Sequence, residues 1–223
     1  MIKQVISKRK LENFCLLIPT KNRYAILRKT INFYLNSGYE EDIIVVDSSE
    51  SDIHKKIKTF FESLPSNFKL IRFQKSGVGK ALYYAAKNYC KKYSYIMQLS
   101  DDDLFLKTNL IYEKYSEIKN TAQAGFYFAH LKFDKHKKTI AITPGKKFLS
   151  KSKFVRLKKF LKTEANLLFG IYRYDVFISA FAINKKDFKD DNLSSDIGIA
   201  IRLTLSDKID YLNSIGVYRD IIF

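Results

Sequence analysis

The sequence predicts an α/β protein with a mostly parallel central sheet, because short apolar runs alternate with segments of helical periodicity through its first half. Four runs are predicted as buried strands: Phe14–Pro19, Ile43–Val46, Lys69–Phe73 and Tyr95–Leu99. Strands separated by helices predict right-handed crossovers and parallel pairing. Ligands bind such sheets at the carboxyl ends of the strands. The residues that follow each strand are therefore the first candidates for a functional site.

Three helices are predicted between these strands, each with one apolar face. Asn22 is expected to cap a helix over about residues 23–37, and Ser51 or Asp52 is expected to cap the second. The third helix follows a loop at residues 75–79. The helices are expected to flank the sheet.

The second half, residues 111–223, is predicted to be less regular. Its expected elements are a helix through Ile111, Tyr115 and Ile118, strands at Gly125–Phe133 and Thr139–Thr143 joined by a turn at His136-Lys137, helices near Asp175–Ala180 and Ser195–Leu205, and a last strand at Asp210–Tyr218. No linker composition interrupts the chain, so we predict a single domain over residues 1–223.

Composition indicates a folded protein with a strongly positive field. Of 223 residues, 46% are hydrophobic, which argues against disorder. The formal charge of +17 attracts anions, and the candidates are nucleic acid, acidic lipids or phosphorylated small molecules. A lysine-rich composition that only solvates the surface is the alternative.

The cysteines and the hydropathy pattern bear on the compartment. Cys15 and Cys90 lie in apolar or helical patterns without metal-like spacing, so we expect reduced thiols and a cytoplasmic protein. The N-terminus lacks a signal-peptide core, and no apolar run is long enough to span a bilayer. Contact with a membrane, at its inner face, is therefore expected to be peripheral.

Polar groups follow all four predicted strands. They are Thr20–Arg23, Asp47–Ser49, the loop Gly77–Lys80, and Ser100–Asp103. Because the carboxyl ends of parallel strands share one edge of the sheet, we expect these four groups to converge. Their convergence favours a site more strongly than any one group does.

The run Asp101-Asp102-Asp103 carries three adjacent like charges, which raise one another's pKa. A divalent cation relieves this repulsion, and hard oxygen ligands suit Mg²⁺ or Mn²⁺ bound together with substrate phosphates. The alternative is a solvated turn in which one aspartate caps the next helix.

The glycine loop and Asp47 allow two interpretations each. Gly77-Val78-Gly79-Lys80-Ala81 lacks the earlier glycine and the Ser or Thr of a P-loop, so a kinase or NTPase is disfavoured. The loop predicts either a close backbone approach to phosphate or a plain turn. Asp47 predicts either a contact with a sugar hydroxyl or base edge, or a cap.

These motifs together resemble the family 2-like glycosyltransferases of the GT-A fold. The resemblance covers roughly residues 14–110 and is carried by Leu17-Ile18-Pro19-Thr20-Lys21-Asn22-Arg23, Ile44-Val45-Val46-Asp47-Ser48-Ser49, Gly77-Val78-Gly79-Lys80-Ala81 and Gln98-Leu99-Ser100-Asp101-Asp102-Asp103. It implies a Rossmann-like domain and an inverting, metal-dependent hexosyltransferase. The implied partners are a UDP- or GDP-sugar donor and a saccharide or lipid-linked acceptor, used in bacterial cell-surface polysaccharide synthesis.

The resemblance also implies roles for individual residues. Asp101 and Asp103 match the ends of an Asp-x-Asp motif, which would hold Mn²⁺ or Mg²⁺ on the donor diphosphate. Donor contacts are implied for Thr20, Asn22, Arg23, Asp47, Gly77, Gly79, Lys80 and Asp101.

In the acceptor half, the resemblance is weaker. Asp196, at the start of a late helix, is the predicted catalytic base, and Asp190 and Asp191 are less favoured. A helix-N-terminal acid without a catalytic role is the alternative for Asp196. Arg173 is predicted to bind phosphate or acceptor, with a structural arginine as the equal alternative.

Residues 146–162 carry eight basic side chains, no acidic one, and interleaved aromatic and aliphatic residues. The pattern predicts contact with an anionic membrane, with an ordinary amphipathic surface helix as the alternative. Nucleic-acid binding gives no reason for three aspartates at a strand end and is disfavoured. A nucleotidyltransferase is the remaining enzyme alternative, although the first loop lacks the glycines that such enzymes use.

Overall fold

The structure, a computed structural model, describes residues 9–75, 77–133, 140–143, 145–163, 167–182 and 194–219. In chain order the elements are β1 (Phe14–Thr20), α1 (Tyr24–Asn36), β2 (Asp42–Asp47), α2 (Ser51–Glu62), β3 (Phe68–Arg72), α3 (Val78–Tyr89), β4 (Tyr95–Gln98), β5 (Leu104–Phe105), α4 (Asn109–Lys119), β6 (Gly125–Phe133), β7 (Ile140–Thr143), α5 (Lys153–Phe160), β8 (Gly170–Arg173), α6 (Tyr174–Phe181), α7 (Ser194–Ser206) and β9 (Ile209–Arg219). The α/β fold is confirmed, and the prediction of a single domain stays a prediction.

The described strands form one sheet in the order β3-β2-β1-β4-β8-β6-β9-β5, with β7 paired to β6. Strands β1 to β4 are parallel, as predicted. The second half is mixed, because β8 runs antiparallel to both β4 and β6. Strand β9 is again parallel to β6, with a bulge near Ala129.

Two apolar cores cover the two faces of the sheet. One core joins β1, β2 and β4 to helices α1, α2 and α4 through side chains such as Ile31, Ile57 and Ile111. The other joins the sheet to α3, α6 and α7 through side chains such as Ala85, Phe177 and Leu203. Alternation along β1, from Leu16 in one core to Leu17 in the other, follows from the two-residue repeat of a strand.

Two predicted helix caps are wrong. Helix α1 begins at Tyr24 with Arg23 at the N-cap position, and α2 begins at Ser51 after Glu50; neither cap has a side-chain hydrogen bond. Asn22 adopts a left-handed backbone conformation, with φ of 56°. Its side chain therefore bonds to Glu50 in the neighbouring loop instead of to its own helix.

Two strands were not predicted from periodicity: β5, of two residues directly after the acidic run, and β8, of four residues in the second half. The predicted turn at His136-Lys137 lies outside the described residues, as do Asp190 and Asp191. Among the helices that the structure describes, none has both the length and the apolar character that crossing a bilayer requires.

Candidate active site

A cavity of about 260 Å³ opens at the carboxyl ends of β1, β2 and β4. Parallel register sets Thr20 beside Asp47 and Asp47 beside Arg72, so the loops that follow these strands leave the sheet at one edge. The cavity is lined by Pro19, Thr20, Lys21, Arg23, Ser48, Lys75, Gly77, Val78, Ala81, Ser100 and Asp101. All four polar groups predicted to converge contribute to its lining.

Asp101 is a buried carboxylate that bonds to two side chains at this edge. It is almost fully buried, and its Oδ2 accepts a hydrogen bond of 2.7 Å from the Thr20 hydroxyl. Its Oδ1 lies 2.6 Å from Nη1 of Arg23. The second Arg23 nitrogen, Nη2, lies 2.5 Å from Oδ2 of Asp102. One guanidinium therefore bridges two of the three aspartates.

The groups around Asp101 shift the pKa of its carboxyl in opposite directions. Burial raises the pKa of its carboxyl, and the charge of Asp102 raises it further. The Thr20 hydroxyl and the Arg23 charge lower the pKa, but the net direction is upward from the ordinary value. The ionised form of Asp101 would thus gain from more positive charge than Arg23 supplies.

Asp103 is 1% exposed and faces a different arginine. Its Oδ2 lies 3.8 Å from Nε of Arg219, at the end of β9. The acidic run is therefore divided: Asp101 and Asp102 meet Arg23, and Asp103 meets Arg219. Sequence reasoning missed Arg219 as a site residue, since it lies more than a hundred residues further along the chain.

The glycine loop brings the N-terminus of α3 to the cavity. Gly77 has a φ of 102°, a conformation that favours glycine, and it is the N-cap residue of α3 without a side-chain bond. Gly77, Val78 and Ala81 line the cavity. A helix N-terminus favours anions, so this wall suits a phosphate.

The lysines that line the cavity are not the one predicted to contact the donor. Lys80 is exposed and lies outside the lining of the cavity, whereas Lys21 and Lys75 line it. The signal that would have found Lys75 is its position at the start of the loop predicted over residues 75–79.

Asn22 and Asp47 connect loops behind the cavity. The backbone N–H of Asn22 donates to Oγ of Ser49 at 2.8 Å. Asp47 is fully buried; its Oδ1 accepts from the Ser49 backbone, and its Oδ2 lies 2.6 Å from Nδ1 of His54 and 3.3 Å from Nη1 of Arg72. These bonds hold the turn that presents Ser48 to the cavity. The predicted contacts of Asn22 and Asp47 with a nucleoside stay predictions.

A second cavity of about 230 Å³ adjoins the first, since Pro19, Val78 and Ser100 line both. The predicted base, Asp196, lines the second cavity from the first turn of α7. The other lining residues are Gly79, Leu82, Gln98, Leu168, Phe169, Phe181, Ile199 and Arg219. The structure thus brings Asp196 to the same edge of the sheet as the acidic run.

Behind this cavity lies His130, a residue that the sequence did not single out. Its ring centroid is 5.3 Å from that of Phe169, and the Arg219 guanidinium lies 4.6 Å from the Phe169 ring centroid. Burial and the Arg219 charge lower the pKa of His130 to about 4. The imidazole is therefore neutral at physiological pH.

Arg173 is not brought to the site. It pairs with Tyr95, at the amino end of β4, because β8 runs antiparallel to β4. Its guanidinium donates two hydrogen bonds of 3.1 Å to Asp175 and one of 3.2 Å to the carbonyl of Ala122. The site proposed below therefore includes no contact between Arg173 and the donor phosphate.

The donor chemistry of Asp101 and Asp103 fits a divalent cation. Both are buried carboxylates with hard oxygen atoms, and the raised pKa of Asp101 shows that added positive charge would stabilise its ionised form. Within the described residues, no group of three or more His, Cys, Asp or Glu side chains is arranged to hold a metal. Further ligands would have to be substrate phosphates and water.

Solved structures of known glycosyltransferases share this fold. S. aureus TarS (residues 1–349, in complex with UDP) matches with a TM-score of 0.64 and 14% identity, over 92% of this chain and 59% of TarS. GalNAc-T7 with UDP, GalNAc and Mn²⁺ matches with a TM-score of 0.62 and 12% identity, over 92% of this chain and 42% of that one. The sheet and its flanking helices therefore form a GT-A fold.

The sequence specifies the family within that fold. The model of glycosyl transferase family 2 matches residues 15–188, and the chain belongs to this family. The minor teichoic acid biosynthesis protein GgaA of Bacillus subtilis (strain 168) is 30% identical over 133 residues, which is 56% of this chain and 30% of GgaA. The chain spans less than a third of the length of that relative.

Proposed function

We propose that the protein transfers a sugar, with inversion, from a nucleoside-diphosphate donor to a saccharide or lipid-linked acceptor in cell-surface polysaccharide synthesis. The observation that carries this proposal is the pair of adjoining cavities, one lined by Asp101 and Arg23 and the other by Asp196. Family membership supports the reaction class. The teichoic acid relative supports the polysaccharide class, and the UDP complex of TarS supports a uridine nucleotide as the first donor to test.

The first cavity is the proposed donor site. Lys21, Lys75 and the N-terminus of α3 are suited to hold the diphosphate, since they place positive charge and helix N–H groups on its wall. Thr20 and Arg23 would hold Asp101 in position through the bonds described above. The Ser48 turn, held by Asp47, would face the nucleoside.

Asp101 and Asp103 would hold Mn²⁺ or Mg²⁺. When bound, such a cation supplies Lewis-acid stabilisation of the negative charge on the leaving diphosphate. Arg219, beside Asp103 and lining the second cavity, would add a fixed positive charge near the same group.

Asp196 is the proposed catalytic base. Its carboxylate would accept the proton of the acceptor hydroxyl as that oxygen forms a bond to the anomeric carbon, while the bond from that carbon to the diphosphate oxygen breaks. The two bonds lie on opposite sides of the carbon, so the configuration inverts. Phe169 lines the same cavity and carries the Arg219 guanidinium over its ring, so it would help to position that charge.

The test measures nucleotide release from a panel of UDP- and GDP-sugars, with and without Mn²⁺, by the whole 223-residue chain. Wild type should release nucleotide from at least one donor in a metal-dependent manner. Asp103→Asn should lower this rate on the order of 100-fold, because one charged metal ligand is lost. Asp52→Asn, which makes the same change on the exposed first turn of α2, should behave as wild type.

Donor turnover that ignores metal and persists in Asp103→Asn would refute the proposed donor site. Release of pyrophosphate from a nucleoside triphosphate and a sugar phosphate would instead identify a nucleotidyltransferase. Thermal unfolding of each variant serves to confirm that the substitution leaves the protein folded.

A further inference from the structure

The segment over residues 146–162 presents an unusual surface. All seven of its lysines are exposed, and its eighth basic residue, Arg156, is buried. The segment contains no acidic residue. We call its exposed side chains the basic surface. Within the described part of the chain, no acidic side chain forms an ion pair with Lys151, Lys153, Lys158 or Lys162, which leaves a concentrated positive field.

Large apolar side chains are exposed within the same surface. Phe154 is 84% exposed, Leu161 is 67% exposed and Val155 is 53% exposed. Phe154 and Leu161 lie two helical turns apart on one side of α5, with Lys158 between them. Apolar groups are therefore embedded in a lysine-rich surface.

Helix α5 packs Phe160 against the core, but its most deeply buried side chain is a charged one. Its buried residue is Arg156, whose Nε donates to the Thr204 carbonyl at 2.8 Å and whose Nη1 donates to the Ser150 carbonyl at 2.7 Å. A surface helix normally turns its apolar side chains towards the core and its charges towards water. Arg156 and Phe160 hold α5 against the protein, whereas Phe154 is turned outwards, so packing in the core does not explain the exposed apolar side chains.

We propose that the basic surface binds the anionic surface of a lipid bilayer. The lysines would meet the lipid headgroups, while Phe154, Val155 and Leu161 enter the boundary between headgroups and acyl chains. A lipid surface accounts for aliphatic side chains as well as charge. Single-stranded nucleic acid is bound through aromatic stacking platforms, and α5 exposes one aromatic ring to serve as such a platform.

The position of α5 would also place the second cavity on the side of the protein that faces the membrane. Arg156 bonds to carbonyls of Thr204 and Leu205 in the last turns of α7, the helix whose first turn carries Asp196. Helix α5 and the second cavity therefore lie on the same side of the sheet. This part of the inference rests on the proposed function: a lipid-linked acceptor would enter the second cavity from the bilayer to which α5 binds.

The test is co-sedimentation of the whole chain with vesicles of phosphatidylglycerol and phosphatidylcholine in equal parts, and with vesicles of phosphatidylcholine alone. Wild type should sediment with the anionic vesicles and not with the neutral ones. Lys158→Glu combined with Lys162→Glu should lower the partition coefficient by at least about 30-fold. Phe154→Ser should lower it by about tenfold, because an inserted ring is lost.

The matched control combines Lys55→Glu with Lys56→Glu on the exposed side of α2, which belongs to the other face of the sheet. It makes the same charge change and should keep binding within about threefold of wild type. Nucleotide release by the same variants in the absence of vesicles tests the donor site separately, so failure of one proposal is distinguishable from failure of the other.

Two results would overturn the proposal. The first is equal sedimentation of wild type and the Lys158, Lys162 double variant. The second is a loss that depends on the lysines but not on Phe154, together with equally tight binding to single-stranded DNA or polyphosphate; the partner would then be a soluble polyanion.

Discussion

Nη1 of Arg23 lies 2.6 Å from Oδ1 of Asp101, and these two residues are 78 positions apart in the chain. The same guanidinium reaches Asp102 at 2.5 Å, and Arg219 approaches Asp103. Two arginines therefore supply part of the positive charge that the acidic run requires. The repulsion among three aspartates is for this reason a weaker argument for a metal than the sequence alone suggested. Burial nevertheless raises the pKa of Asp101 by more than Arg23 lowers it, so additional positive charge from a cation would still favour the ionised carboxylate.

The first prediction concerns Arg23→Gln. Removing the guanidinium leaves the buried Asp101 carboxylate with fewer donors, so the free energy of unfolding should fall by about 1–2 kcal/mol. Added Mn²⁺ should raise the melting temperature of this variant more than that of wild type, since the cation replaces a lost charge. Thermal unfolding with and without Mn²⁺ measures both effects. Lys21→Gln, an exposed neighbour in the same cavity, is the control; an equal Mn²⁺ response in all three proteins would contradict the prediction.

The second prediction concerns Asp196→Asn. Loss of the base should lower transfer to an acceptor on the order of 100-fold or more, because general-base catalysis contributes at least that much. Binding of the donor nucleotide should be unchanged, since Asp196 lines the second cavity and not the first. Titration calorimetry and a transfer assay separate the two quantities. Asp190→Asn and Asp191→Asn are the comparisons, and full transfer activity in Asp196→Asn would remove it as the base.

The third prediction concerns stability in acid. The pKa of His130 is about 4 in the folded protein, below the ordinary value of 6.5. The unfolded chain therefore binds a proton at His130 as the pH falls below 6.5, while the folded protein does not until about pH 4. His130 thus destabilises the fold progressively between these two values, by up to about 3 kcal/mol.

His130→Phe keeps an aromatic ring against Phe169 and removes the titrating group. The difference in unfolding free energy between this variant and wild type should move in favour of the variant as the pH is lowered from 7 to about 4.5. Urea unfolding at several pH values measures it. A difference that stays constant with pH would show that His130 is not held neutral in the fold.

The fourth prediction concerns Arg156→Leu. The buried guanidinium donates to backbone carbonyls of Ser150, Lys151, Thr204 and Leu205. Leucine removes all of these donors, so the free energy of unfolding should fall by about 3 kcal/mol. Urea unfolding checks the value, and Lys153→Leu on the exposed side of α5 should change it little. A loss below about 1 kcal/mol would mean that water replaces these bonds at no cost.

The parallel half of the fold was predictable from local pattern. Strands β1, β2 and β4 are largely apolar runs, because both faces of a parallel sheet are covered, and such runs are visible without knowing their partners. Strand β3, at the edge of the sheet, is only partly buried. Strands β5 and β8 were not predictable: they are too short to show a period, and they are held by pairing with β9, β4 and β6.

The position of Arg173 depends on the direction of its strand, which the local sequence pattern does not specify. The sequence places it at the end of an apolar segment, as it places Thr20 and Asp47, but it does not state the direction of the strand. Because β8 is antiparallel to β4, Arg173 is at the edge opposite the cavities. Strand direction depends on long-range connections, and this one decided whether a candidate residue belongs to the site.

The sequence by itself determined that Thr20, Asp47, the glycine loop and Asp101 gather at one edge, because right-handed crossovers between parallel strands leave no other arrangement. Only the tertiary structure decided which charges meet there. The structure pairs Arg23 with Asp101 and Arg219 with Asp103, residues that are far apart in the chain. It also places Asp196 at the second cavity. The energies of these contacts depend on distances of a few ångströms and on burial, neither of which a pattern of residues encodes.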